Sequence, residues 1–188
     1  MSGQARLAPG SMRDVGPFIW LFSRIAGKVS RTEPPAVFLT LGRNRRLFWG
    51  WLHFAGTLMP GGRLARRETE LVILRVAASA GSDYEWEQHA GLGRRAGLTA
   101  GEIDAVALLA GAQGPQGMEQ HDWSLRDRLL LDVTDELLAS QDLSDETWRR
   151  LRDVLDERTA VELLMLVGHY RMLATTLKAL RVQPDRRL

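Results

Sequence analysis

The sequence predicts an all-α protein built around a central antiparallel helix hairpin, and three observations lead to that class. Apolar residues recur at helical spacing through most of the chain. No run of alternating β-branched residues sits between turn signals. The stretch Arg66–Gly97, RRETELVILRVAASAGSDYEWEQHAGLGRRAG, reads as two helices joined by a tight turn at Gly81. Its first half, from Leu71 to Ala80, leaves hardly any polar face, the mark of a helix deep in a fold. Glu70 and Arg75 therefore stand out.

The other elements follow in order. Residues 1–11 are small and polar and read as an extended arm, and Phe18–Ile25 reads as a short amphipathic helix with Pro17 in its first turn. Pro34-Pro35 opens a helix over Ala36–Leu41 that Gly42 ends. From Asn44 to Met59 apolar and aromatic residues, among them Phe48, Trp49, Trp51 and Phe54, predict a helix buried on most sides, in the core or at a subunit interface, and His53 shares that expectation. After the hairpin, Thr99 and Glu102 form a capping box for a helix to about Ala112. Gln113–Gln120 is a Gly/Pro/Gln-rich loop and the clearest internal boundary. Helices are then expected from Ser124 to about Ala139, from Ser144 to about Asp156, and from a Thr159/Glu162 capping box to about Val182. TELVIL (69–74) echoes VELLML (161–166), and a Trp-containing helix precedes each.

At 188 residues the chain suits one domain. The expected organisation is an arm with short helices over 1–40, a helical core over 41–112 and a second helical half over 121–188. No segment has the roughly 18 uninterrupted apolar residues of a membrane span, and no secretory leader is visible, so cytoplasmic residence is the expectation. There are no cysteines, which removes disulfides, thiolate nucleophiles and zinc–thiolate sites. Residues 1–67 carry eleven basic residues against two acidic, and residues 68–188 fourteen against twenty-one. The positive charges are scattered singly or in pairs and match no nucleic-acid motif, so the basic half is expected to pack on the acidic half of its own or a neighbouring subunit.

The hairpin also carries the chemistry. Glu70 lies eleven residues before Gly81 and His89 eight after it, roughly 16 Å and 12 Å along two antiparallel helices, so the two can meet. Glu85, four residues before His89, shares its helix face. A carboxylate beside a histidine fixes its tautomer and orientation, a plausible acid/base unit. A competing explanation covers Glu85: Ser82-Asp83-Tyr84-Glu85 is itself a capping box pattern. Buried Glu–His pairs are also structural in many proteins, so spacing leaves both readings open. No H-x-x-H or H-E-x-x-H pattern supports a metal. His121 is expected in solvent. His169-Tyr170, in an apolar setting, is read as a hydrogen-bonded core pair or as facing the same pocket.

The segments RETELVILRVA, YEWEQH and GLTAGEI resemble the carboxymuconolactone decarboxylase family, which includes the alkyl hydroperoxidase D (AhpD)-like proteins, most clearly from Asn44 to Ala112. In the hydroperoxidase branch a glutamate, two cysteines and a histidine recur at fixed spacing. On this chain the glutamate falls on Glu70 and the histidine on His89, while the cysteines fall on Ser82 and Glu85. The resemblance therefore excludes a thiol peroxidase cycle, which survives only as an inherited label. The decarboxylase branch is similar in having a glutamate at the second cysteine position. The resemblance implies a compact AhpD-like helical subunit assembled as a trimer, hexamer or dimer, and cofactor-free lyase chemistry on a small carboxylated or lactone-type molecule. His89 would be the acid/base, with Glu70 orienting it and Glu85 as a second acid/base or positioning group. Ser82, Trp86 and Arg75 are candidate substrate contacts, and Arg66, Arg67 or Arg75 would hold the substrate carboxylate. The alternative is a non-catalytic binding or scaffold member of the same fold. No metal, nucleic-acid or membrane partner is expected.

Overall fold

The computed structural model describes residues 4–111 and 121–186, and every regular element among them is helical. Four helices form the N-terminal part: α1 (Met12–Val15), α2 (Pro17–Ser30), α3 (Ala36–Leu41) and α4 (Arg45–Leu58). The hairpin is α5 (Arg66–Ala80) and α6 (Asp83–Ala96), and α7 (Ala100–Gly111) follows it. The second half contains α8 (Leu125–Ser140), α9 (Asp145–Val154) and α10 (Glu157–Leu180). The expected loop Gln113–Gln120 lies outside the described residues.

The axis of the molecule is α5, which packs against α6, α7, α8 and α10. Surrounded in this way, it needs apolar side chains all round, and Leu71, Val72, Ile73, Leu74 and Val76 are all fully buried. Each contributes roughly 1.5–3 kcal/mol of hydrophobic free energy. One flank meets Leu130, Val133, Leu163 and Leu166 of α8 and α10. The other meets Ala90, Ile103 and Val106 of α6 and α7.

Two glycines shape the hairpin. Gly81 ends α5 with φ +59°, in the left-handed region that side chains disfavour. Gly93 lets α6 approach closely: a Cβ there would lie 2.9 Å from Leu98 Cδ1, 3.4 Å from Leu74 Cδ1 and 3.7 Å from the Glu70 Cβ. That approach draws the His89 turn of α6 towards Glu70.

Several expectations are corrected. α2 extends to Ser30, past Ile25, because no breaker intervenes before Arg31. α4 is not buried on most sides: only Phe48 and Leu58 are, whereas Leu47 and Trp49 are 57% and 44% exposed and His53 faces solvent. This helix packs mainly against α3 and α10, which leaves one face uncovered in the subunit. α10 is capped not by Thr159 but by Asp156, whose side chain accepts from the Thr159 N–H at 2.8 Å. Glu162 is thereby released to accept the N–H groups of Arg63 and Leu64, tying the turn before α5 to α10. The Thr99/Glu102 box does form, with Glu102 accepting from Thr99 N at 2.7 Å and Thr99 Oγ1 accepting from Glu102 N at 3.2 Å.

Part of the N-terminal positive charge meets the acidic half directly. Arg63 pairs with Asp156 at 3.2 Å, and Arg67 pairs with Asp127 at 2.7 Å and with Glu102.

Candidate functional site

Glu70 enters the interior from the second turn of α5, with no exposed surface. A carboxylate cannot be left there without partners, and it has two. His89 Nδ1 donates to Oε2 at 2.7 Å, and the Arg66 guanidinium, one turn earlier on α5, stands 2.7 Å from Oε1. The Arg66 contact is an ion pair without good hydrogen-bond alignment, since Oε1 accepts no aligned hydrogen bond. With Nδ1–H bound to the carboxylate, the other ring nitrogen, Nε2, is the one free for chemistry. The His89 side chain is only 10% exposed.

Glu85 is 1% exposed, and among the described residues neither of its carboxylate oxygens has a hydrogen-bond partner. The capping-box explanation is therefore overturned: Ser82 occupies the N-cap position of α6 but neither it nor Glu85 closes the reciprocal bonds. Burial pushes the Glu85 carboxyl up to about 7, and the nearby Ser82 hydroxyl opposes that only in part. An orphaned buried acid poised near neutrality calls for an explanation that packing does not supply.

Tyr170 of α10 completes the enclosure. Its ring meets the His89 ring edge-to-face, with centroids 5.1 Å apart. Burial, and then the charges of Glu70 and Glu85, hold its phenol far above the usual range, so it stays a protonated donor. The alternative reading of His169-Tyr170 as a hydrogen-bonded pair does not hold. The two rings meet edge-to-face at 5.1 Å, and His169 Nδ1 has no partner. His169 instead stacks on Trp51, and burial lowers it to about 4, so it is neutral.

The other candidates sort by geometry. Arg75 is committed elsewhere: Nε lies 2.5 Å from Asp135 Oδ1 and Nη2 3.0 Å from Oδ2. Replacing Asp135 with Ala leaves Arg75 largely buried and unpaired, and about 3 kcal/mol of destabilisation is expected in denaturant titration. Arg67 is committed to Asp127 and Glu102. That leaves Arg66, 39% exposed at its side chain, as the arginine that reaches both Glu70 and solvent. Trp86 lines a separate groove of about 880 Å³ with Gln88, Arg94 and Arg95, a groove to which Glu70, Glu85 and His89 contribute no wall. His121 is half-buried against Trp123, with ring centroids 4.5 Å apart. Among the described residues no group of three or more His, Cys, Asp or Glu side chains is placed to hold a metal ion. None of their helices is long and apolar enough to cross a membrane.

Sequence reasoning found Glu70, Glu85 and His89 from their spacing. It had no basis for preferring Arg66 among the three arginines, because the choice depends on which acids α7 and α8 bring to Arg67 and Arg75.

Known proteins resemble the chain in two ways. The profile of the carboxymuconolactone decarboxylase family matches residues 45–116, a span that contains α4, the hairpin and α7. No curated protein matches the chain by sequence. Among solved structures, an uncharacterized peroxidase-related protein with an alkylhydroperoxidase AhpD core, from Ralstonia eutropha, superposes with a TM-score of 0.78 at 18% identity, covering 95% of this chain and 92% of that one. A peroxidase-related protein from a Silicibacter species gives a TM-score of 0.73 at 17% identity, over 87% and 83% of the two chains. The debrominase Bmp8, in complex with 2,3,4-tribromopyrrole, gives 0.75 at 15% identity, over 97% and 93%. At such identities the likeness establishes the fold, which is AhpD-like. The carboxymuconolactone decarboxylase family profile thus lies over the central hairpin, the fold around it is AhpD-like, and the chain carries no cysteine.

Proposed function

We propose that this protein is a cofactor-free acid/base enzyme acting on a small carboxylated or lactone-type substrate, with decarboxylation as the reaction. The observation that carries the reading is the pairing of His89 with Glu70 beside a buried, unpartnered Glu85 held near neutrality. In a β,γ-unsaturated lactone acid, the bond to the carboxylate breaks and CO2 leaves. The electron pair passes into the conjugated lactone as an extended dienolate, which then takes one proton at carbon. Arg66 holds the substrate carboxylate, His89 in its protonated form delivers the Nε2 proton to the dienolate carbon, and Glu70 accepts from Nδ1–H and so keeps the ring oriented. Glu85, its carboxyl pushed up to about 7, is the acid that returns a proton to Nε2 after turnover and regains its own from water. The chain has no thiol, so a cysteine peroxidase cycle is not proposed.

The test is to supply lactone acids of this class and measure CO2 release. Arg66→Ala is expected to raise KM about tenfold or more while changing kcat less, because it removes a charge-assisted contact made before the carboxylate departs.

The near-complete burial of Glu70, Glu85 and His89 favours a second reading, a ligand-binding or scaffold protein in which the triad is structural. That reading expects Glu70→Gln and His89→Gln to shift thermal stability while no lactone acid is turned over.

A further inference from the structure

The uncovered face of α4 and the neighbouring face of α10 enclose a groove of about 540 Å³, walled by Leu47, Gly50, Trp51, Phe54, Met172 and Leu173. Small-molecule pockets run roughly 300–1,000 Å³ and are mostly apolar with a few placed polar groups. None of the residues lining this groove belongs to the His89 site.

Its polar groups are one-sided. Arg46 is the only ionisable residue among those lining it, and it makes no ion pair or hydrogen bond with any described residue. Asn44, at the same end, uses its side-chain oxygen to cap the Leu47 N–H, which leaves its amide nitrogen to donate. The Trp51 indole contributes its ring to the wall, while its N–H is buried away from the groove. Thr176 already donates its hydroxyl to the Met172 carbonyl. The wall thus offers donors and one positive charge beside a long apolar floor, so the matching ligand has an acceptor-rich anionic head and an apolar body. An apolar helix from a second copy of the chain would cover Leu47 and Met172, which are 57% and 53% exposed, but would leave the Arg46 charge unanswered.

We infer that this groove binds an amphiphilic monocarboxylate of the medium-chain fatty-acid class. The carboxylate sits at the Arg46 and Asn44 end, and the chain runs along α4 past Gly50 to Phe54, roughly 12 Å at the helical rise. The site is independent of the chemistry at His89.

Calorimetric titration of the full-length protein with decanoate, below its micellar concentration, tests this, with decanol as the uncharged control. Saturable binding of one decanoate per chain is expected. Arg46→Ala is expected to weaken decanoate about tenfold while leaving decanol unchanged. A side chain at Gly50 meets open space and raises helix propensity, so Gly50→Leu is expected to fold normally and abolish binding of both probes. The inference is overturned if wild type shows no saturable binding, or if neither substitution alters it. It is equally overturned if Gly50→Leu dissociates an oligomer that does not bind decanoate, which would assign the groove to a second copy of the chain.

Discussion

Replacing His89 with Ala is expected to lower decarboxylation of any accepted lactone acid by about 10²–10⁴-fold, the usual contribution of a positioned acid/base group. The reason is positional. His89 presents Nε2 because Nδ1 is held by Glu70 at 2.7 Å, and Ala removes both the proton donor and the hydrogen bond that Glu70 Oε2 accepts. Stopped assays of CO2 release, with circular dichroism to confirm the fold, make the measurement. Glu70→Gln separates orientation from chemistry: the amide can still bond to the ring, but it can also favour the opposite tautomer, so activity should fall while the imidazole remains. Wild-type turnover in His89→Ala, with substrate saturation unchanged, would sink the assignment.

The second large effect belongs to Glu85. Its folded carboxyl holds its proton up to about pH 7, whereas the ordinary value is 4.5. Between those values the folded state binds more protons than the unfolded chain, so this residue makes stability fall as pH rises. The full cost, on the order of 3 kcal/mol at 1.36 kcal/mol per pH unit, is present above pH 7 and absent below about 4.5. Glu85→Gln removes the ionisation. It is expected to melt higher than wild type at pH 8, to converge with it near pH 4.5, and to flatten the profile between. If Glu85 also returns a proton to His89, the same stabilised variant loses activity, a combination that a purely structural acid would not produce. Superimposable melting profiles for wild type and Glu85→Gln would show that the carboxyl is not held in its neutral form.

The hairpin was legible because its signals are local. Gly81, Gly97 and the apolar run from Leu71 to Val76 are contiguous features, and helical periodicity converts them directly into two buried antiparallel helices. The same arithmetic brought Glu70 and His89 to matching heights, and Gly93 supplies the close approach that lets them touch. Where two readings of a short pattern competed, local information could not choose between them. Ser82–Glu85 and Thr159–Glu162 share the capping-box spacing with Thr99–Glu102, yet only the last forms. Asp156 takes over the cap of α10, and Arg63 and Leu64 claim Glu162 from across the fold.

By itself, then, the sequence determined the all-helical class, the central hairpin, the absence of thiol chemistry and the three polar residues on which a site can rest. Each follows from residue type and from spacing within a few helical turns. Tertiary structure alone decided which arginine is free to serve that site, that Tyr170 closes over His89, that Glu85 is an orphaned acid rather than a cap, and that α4 leaves an open face. Those outcomes depend on partners distant in the chain, 35 residues for Glu102 and Arg67, 60 for Asp135 and Arg75, and more than 80 for Tyr170 and His89. Long-range partners leave no periodic trace in the sequence, because nothing local constrains which distant side chain the packing of α5 will bring alongside.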